Sequence, residues 1–378
     1  ANALGASCGL RTLKISSNMM GSKAGLALLK ALERAKALEV LDLSQNSLDD
    51  RVASQLAVVI QTVPLNTLRI SYNKFKADGV KKVVHAISHN TTLTDLDLTS
   101  CGIGERSKDL LEILEARDNI TRLCIGFNKM PSAFVPRFTS FTAKQKNLVH
   151  LDLRGLDLSS KQMRQVIDAV AVNSSGTLQE FILNGNVLDA KCVELLIDYL
   201  TRTHILHSLG LRGCGIPRNP LIELIAAVKH STALKAVDLS GNNLNDRRLL
   251  ESIGSCLQNN QSLTMIGLAA TKLDAKTIGL IGQALQFNKV MEKVHVDGNK
   301  LGERGLLEFA AGMAGNEVLK VLSIRQTACS PRALLSLLAA VTAKTQIEVV
   351  DAGDNNLPTG NKAFRDRVDQ FDALAVKF

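Results

Sequence analysis

Tryptophan is absent from the 378 residues and tyrosine occurs twice, so few aromatic side chains are available to anchor a high-affinity partner. No apolar run reaches the length of a membrane span. Walker phosphate loops, GxSxG elbows, CxxC pairs and HExxH helices are all missing, which leaves no motif for nucleotide, serine-hydrolase, redox or zinc-protease chemistry. The seven cysteines, Cys8, Cys101, Cys124, Cys192, Cys214, Cys256 and Cys329, are odd in number and unpaired in spacing. That pattern argues against a disulfide framework and for reduced thiols in a reducing, cytoplasmic setting. Charge is also not concentrated: the formal net charge is +9, but the basic residues are scattered. The balance favours acidic protein partners or an anionic membrane surface over specific nucleic acid. Asn90, Asn119, Asn173 and Asn260 open Asn-x-Ser/Thr sequons without a signal peptide, and are read as chance matches. The sequence starts at Ala1, without Met and inside a repeat, so a fragment of a longer protein is expected, with any membrane-binding part outside it.

What the sequence has is a frame, Leu-x-x-Leu-x-Leu-x-x-Asn-x-Leu, shown cleanly by Leu38, Leu41, Leu43, Asn46 and Leu48. It returns thirteen times at steps of 27 to 30 residues, most often 28. Its period-two part marks a short strand with leucines turned inward, and the Asn is suited to satisfy backbone groups in the tight turn that follows. Between frames the apolar positions have helical spacing. Ala24, Leu26, Leu28, Leu29 and Leu32 form one expected face; Leu249, Leu250, Ile253 and Leu257 form another. The expected fold is α/β: a leucine-rich-repeat solenoid, or horseshoe, of about 13 repeats, with a parallel sheet on its concave face and helices on its convex face. It covers residues 1–357. Residues 358–378 carry Phe364, Val368, Phe371 and Leu374 at helical spacing, and are expected to form an amphipathic helix that caps the array or leads into a further helical segment.

Exceptions to the frame are informative. Leu156 stands in an Asn slot and cannot serve the turn, so that turn is expected to differ. Cys101 and Cys214 fill the same slot as small buried polar groups. Pro131 and Pro136 predict an irregular or late-starting helix, with Phe134, Phe138 and Phe141 as core filling.

Candidate chemistry is sparse. His85 and His89 have a metal-compatible spacing but no neighbouring Glu, and His204 and His207 flank an apolar pair; all four are read as structural, so no metal or cofactor is expected. The middle strand position repeatedly carries Asp, at Asp42, Asp97, Asp152, Asp238 and Asp351, which reads as a repeat feature rather than a set of catalytic carboxylates. The candidate recognition patch lies mid-array. His150, Asp152, Arg154, Glu180, Asn184 and Arg212 come from three successive strands and are expected to project together for charge-assisted hydrogen bonding to a protein partner.

Full helices in 28-residue repeats resemble the ribonuclease-inhibitor class of leucine-rich repeats along essentially the whole chain. Within that class, Val135-Pro136-Arg137-Phe138-Thr139-Ser140-Phe141 and the stretch Ser231 to Asn242 are similar to repeats of CARMIL actin regulators. That resemblance implies a non-enzymatic interaction scaffold in an actin and capping-protein regulator. It also implies a membrane-binding domain, a dimerisation segment and a capping-protein tail outside these residues. Two alternatives remain at this stage. One is a GTPase activator of the Ran-activator type, for which Arg247 and Arg248 are the loop basics to consider; the other is the ligand-sensing end of an immune-type receptor.

Overall fold

The computed structural model describes residues 9–173, 176–342, 347–371 and 374–378; Cys8 and the sequon serines after Asn173 lie outside them. The chain divides into two units, the first running to Asn186 and the second from Val187. In the first unit the elements are β1 (Thr12–Lys14), α1 (Gly21–Leu32), β2 (Val40–Asp42), α2 (Asp50–Thr62), β3 (Thr67–Arg69), α3 (Ala77–His89), β4 (Asp95–Asp97), α4 (Ser107–Glu115), β5 (Arg122–Cys124), α5 (Phe134–Lys144), β6 (His150–Asp152), α6 (Ser160–Asn173) and β7 (Glu180–Ile182). The second continues with α7 (Ala190–Arg202), β8 (Ser208–Gly210), α8 (Arg218–His230), β9 (Ala236–Asp238), α9 (Arg247–Asn259), β10 (Met265–Gly267), α10 (Ala275–Phe287), β11 (Lys293–His295), α11 (Gly302–Gly312), β12 (Val321–Ser323), α12 (Pro331–Thr342), β13 (Val349–Asp351), α13 (Lys362–Val368) and β14 (Ala375–Lys377).

Within each unit every strand pairs in parallel with the next, because a helix returns the chain to the same edge. The middle residues of the strands stand in register. Leu13, Leu41, Leu68, Leu96, Leu123, Leu151 and Phe181 form one such row, and all from Leu41 onward are fully buried. In the second unit the row is Leu209, Val237, Ile266, Val294, Leu322, Val350 and Val376. A one-residue slip in any strand would expose its leucines, so the apolar alternation sets the register.

The asparagine slot works as a ladder. Asn46 Nδ2 donates to the carbonyls of Ile15, Leu43 and Ser44 at 2.8, 3.1 and 3.0 Å, while its Oδ1 accepts from the backbone N–H of Asn18 and Met20. One side chain thus satisfies backbone groups of two repeats where water has no access. Cys101 keeps one rung, Sγ donating to the Ile70 carbonyl at 3.0 Å, and Thr271 and Thr327 each donate to a carbonyl of their own repeat. At Leu156 the turn keeps the left-handed backbone of its neighbours, at Gly155 and Asp157. Asn186 makes its ordinary rung to this turn, accepting from Leu156 N–H at 2.9 Å and donating to the Leu153 carbonyl at 2.8 Å, while Met130 N–H, lacking an Asn side chain at 156, donates to the Leu156 carbonyl at 3.2 Å.

Helix α5 starts only at Phe134, which puts Pro136 in its first turn, where an N–H has no intrahelical partner to lose. Phe134, Phe138 and Phe141 are fully buried, with ring centroids 5.3 and 6.1 Å apart in sequence order. The α9 face, Leu249, Leu250, Ile253 and Leu257, is buried as its spacing predicts. In α1 the expected face is corrected: Ala24 is exposed, and Ser22, Gly25, Leu29 and Leu32 point inward. Gly25 takes that position because a Cβ there would stand 2.6 Å from Leu48 Cδ2. The tail also departs from a helix over 358–378. Its helix ends at Val368, and after Leu374 the chain forms β14, paired to β13, so Val376 continues the row of strand centres.

Candidate functional site

Residues flanking each strand centre face away from the leucines. In the first unit this strand face is densely charged. Asp95 of β4 lies between two guanidinium groups, Arg69 Nη2 at 2.6 Å and Arg122 Nε at 3.6 Å. One strand further, His150 and Glu180 stand opposite each other on β6 and β7, and the imidazole Nδ1–H donates to Glu180 Oε2. Burial, and next the positive charge of Arg122, hold His150 below the usual histidine range, which favours the neutral ring. Asp152 accepts the Arg154 backbone N–H at 3.1 Å and both Nε and Nη2 of its guanidinium. Beside them Cys124 is buried, which pushes its thiol up to about 12.

Of the six residues expected to project together, the structure pairs His150 with Glu180 and Asp152 with Arg154. His150 and Asp152 are not solvated, however, being 6% and 3% exposed. Arg154 folds back onto Asp152 instead of extending, over a space left by Gly126, whose Cβ would stand 2.4 Å from Arg154 Cγ. Asn184 lies in the turn after β7, where its carbonyl accepts from Gly155 N–H at 2.9 Å. Arg212 is exposed after β8 and belongs to the second unit.

Two site residues were missed by the strand alternation because they sit in the turns. The residue before each Asn slot adopts a left-handed backbone. Glycine fills that position at Gly155, Gly185, Gly213, Gly241 and Gly298, and Ser17, Gln45, Ser100, Ala270, Gln326 and Asp354 fill it elsewhere; Tyr72 and Phe127, with φ of 55° and 51°, are the two aromatics among them. A bulky side chain there costs about 1–2 kcal/mol relative to an ordinary backbone conformation. The rings lie side by side, centroids 6.3 Å apart, and are 41% and 49% exposed. Phe127 leans on Gly155, where a Cβ would be 2.6 Å from its ring. The detectable signal was an aromatic in a slot that other repeats give to glycine or to Ser, Gln, Ala and Asp.

The remaining candidates have local roles. Oδ1 of Asp42, Asp97, Asp238 and Asp351 each accepts the backbone N–H two residues on, at 3.0–3.1 Å, as Asp152 does, so this recurrent carboxylate closes its own turn. His85 and His89 meet edge to face, with His89 Nδ1 3.1 Å from the His85 carbonyl. Arg247 pairs with Glu251 one helical turn on, and Arg248 N–H donates to the capping Asp246. The six described cysteines are buried and form no disulfide among the described residues. Among the described residues, one group of three potential metal-ligating side chains occurs: Cys124, His150 and Asp152. No described helix is long and apolar enough to cross a membrane.

A family model described as Leucine Rich repeat matches residues 89–106 and 230–247. The human "NACHT, LRR and PYD domains-containing protein 13" is 29% identical over 227 residues, covering 59% of this chain and 21% of its own length. "Protein CARMIL" of Dictyostelium discoideum is 25% identical over 268 residues, covering 67% of this chain and 25% of its own length. The chain therefore spans a quarter or less of these relatives. Among solved structures, the yeast Rad7 and Elc1 complex aligns over 88% of this chain and 83% of the matched chain, with TM-score 0.57 and 14% identity, a likeness of fold alone. With the in-register leucine rows and the asparagine ladder, these matches make the chain a leucine-rich-repeat protein of the ribonuclease-inhibitor-like type.

Proposed function

We propose that the chain is a non-enzymatic protein-interaction scaffold, and that its first unit receives a protein partner on the strand face around Tyr72, Phe127 and Arg154. The observation that carries this reading is the pair of large exposed aromatics, Tyr72 and Phe127, lying side by side in a turn slot that the other repeats give to Gly, Ser, Gln, Ala or Asp. The left-handed backbone is common to all these turns, so the mark of a binding site here is the two apolar rings held in contact at the surface. Flanking charges on Arg154 and Glu180 supply the polar rim that such anchors need. At a finer level, the similarity to CARMIL over two thirds of this chain supports a place in an actin-cytoskeleton regulator working in a reducing compartment. The NACHT-containing relative favours a second reading, the sensing end of an immune-type receptor, in which the same face would engage the ligand.

Tyr72→Asn combined with Phe127→Gly tests the site. The double variant is expected to keep wild-type thermal stability within about 1 kcal/mol, since strain relief offsets lost contact area. Quantitative affinity purification of the full-length protein should then show at least one wild-type partner reduced tenfold or more. An unchanged partner set with an intact fold would remove Tyr72 and Phe127 from the binding surface.

A further inference from the structure

We propose that Cys124, His150 and Asp152 form a binding site for a zinc-type divalent metal ion on the strand face of the first unit. Cys124 and Asp152 are register partners on adjacent strands, and His150 precedes Asp152 by two residues, so all three side chains leave the sheet on the same side. One donor atom from each lies within 4.8 Å of the others, and all three residues are buried. Tetrahedral coordination at about 2.0–2.3 Å sets donors roughly 3.3–3.7 Å apart, so closure needs side-chain shifts of about 1 Å.

The histidine is the second, independent observation. It is 6% exposed, yet its Nε2 has no hydrogen-bond partner, while Nδ1 is committed to Glu180. A ring held at one nitrogen by a carboxylate, with the other nitrogen open, is the arrangement that orients histidine ligands in metal centres. Thiolate, imidazole and carboxylate together suit zinc over calcium or magnesium, which take oxygen donors. On binding, Cys124 releases its thiol proton to solvent; Sγ, Nε2 and one Asp152 oxygen bond the ion, and water fills the fourth position. No electron changes hands. The competitor for the site is Arg154, whose guanidinium grips Asp152 and must release it, while Arg122 adds a second opposing charge beside His150.

The test is titration of the purified full chain with Co2+, followed by competition with Zn2+. Wild-type protein is expected to bind one equivalent of Co2+, with a thiolate-to-cobalt charge-transfer band that Zn2+ abolishes. C124S should lose the band, H150A should weaken binding at least 100-fold, and E180Q should weaken it 10–100-fold by freeing the ring. R154Q should tighten binding by about tenfold, a gain that a purely structural role for these residues does not produce. H85A/H89A should bind as wild type. Absence of saturable Co2+ and Zn2+ binding by the wild-type chain overturns the proposal, as does binding that survives C124S/H150A undiminished. The first outcome needs no variant to fold.

Discussion

Phe138→Ala is expected to destabilise the first unit by about 3–5 kcal/mol, the cost of a large buried cavity. Phe138 has no exposed surface and sits between Phe134 and Phe141, each also fully buried, so the neighbouring rings hold the space open instead of collapsing into it. With no tryptophan to report unfolding, circular dichroism in urea is the suitable probe, and its midpoint should fall well below that of wild type. An effect under about 1 kcal/mol would mean that the cluster is not the core its burial indicates. Phe127→Gly, also a phenylalanine loss in the same unit, should by contrast leave the midpoint nearly unchanged.

Asn73→Leu should be comparably severe, at about 3–5 kcal/mol, because it leaves buried backbone groups without partners. Asn73 Nδ2 donates to the carbonyls of Leu43 and Ile70 at 3.0 and 2.8 Å, and its Oδ1 accepts from Asn46 and Leu48 N–H at 3.2 and 2.9 Å. Leucine is tolerated naturally at position 156, but there it is flanked by full asparagine rungs at Asn128 and Asn186. Asn73 is followed by Cys101, whose thiol is a weak donor and only a weak acceptor toward the turn before it. Two weak rungs would then be adjacent. The same urea titration checks this, and a midpoint equal to wild type would contradict the ladder account.

The leucine frame made the strands and their register legible, because a period of two leaves one choice of inward face and every repeat makes the same choice. It also identifies the recurrent Asp as a repeat feature and the cysteines of the Asn slot as buried structural groups, while the turn-closing bond of the Asp depends on backbone geometry. Other features depend on contacts between repeats, to which periodicity is blind. A second set of asparagines, Asn90, Asn260, Asn288 and Asn316, ties the end of one helix to the next strand. Each donates to a carbonyl of the preceding repeat and accepts from its own turn. Two of these had been visible only as sequons. Arg154 folds back over Gly126 onto Asp152, and His150 pairs with Glu180 of the next strand, neither of which alternation along one strand reveals. Tyr72 and Phe127 were overlooked because the strand pattern says nothing about the turns; their significance rests on two exposed rings meeting across repeats.

In the proposed function the strand face of the first unit, and not its helix side, receives the partner. Placing a photo-crosslinking amino acid at Phe127, and in a separate variant at Val172 on α6, tests it most directly, since both side chains are well exposed, at 49% and 67%. Irradiation of the full-length protein in cells is expected to give a discrete adduct from position 127 and none from position 172. Adducts from position 172 alone would place the partner on the helices and contradict the account.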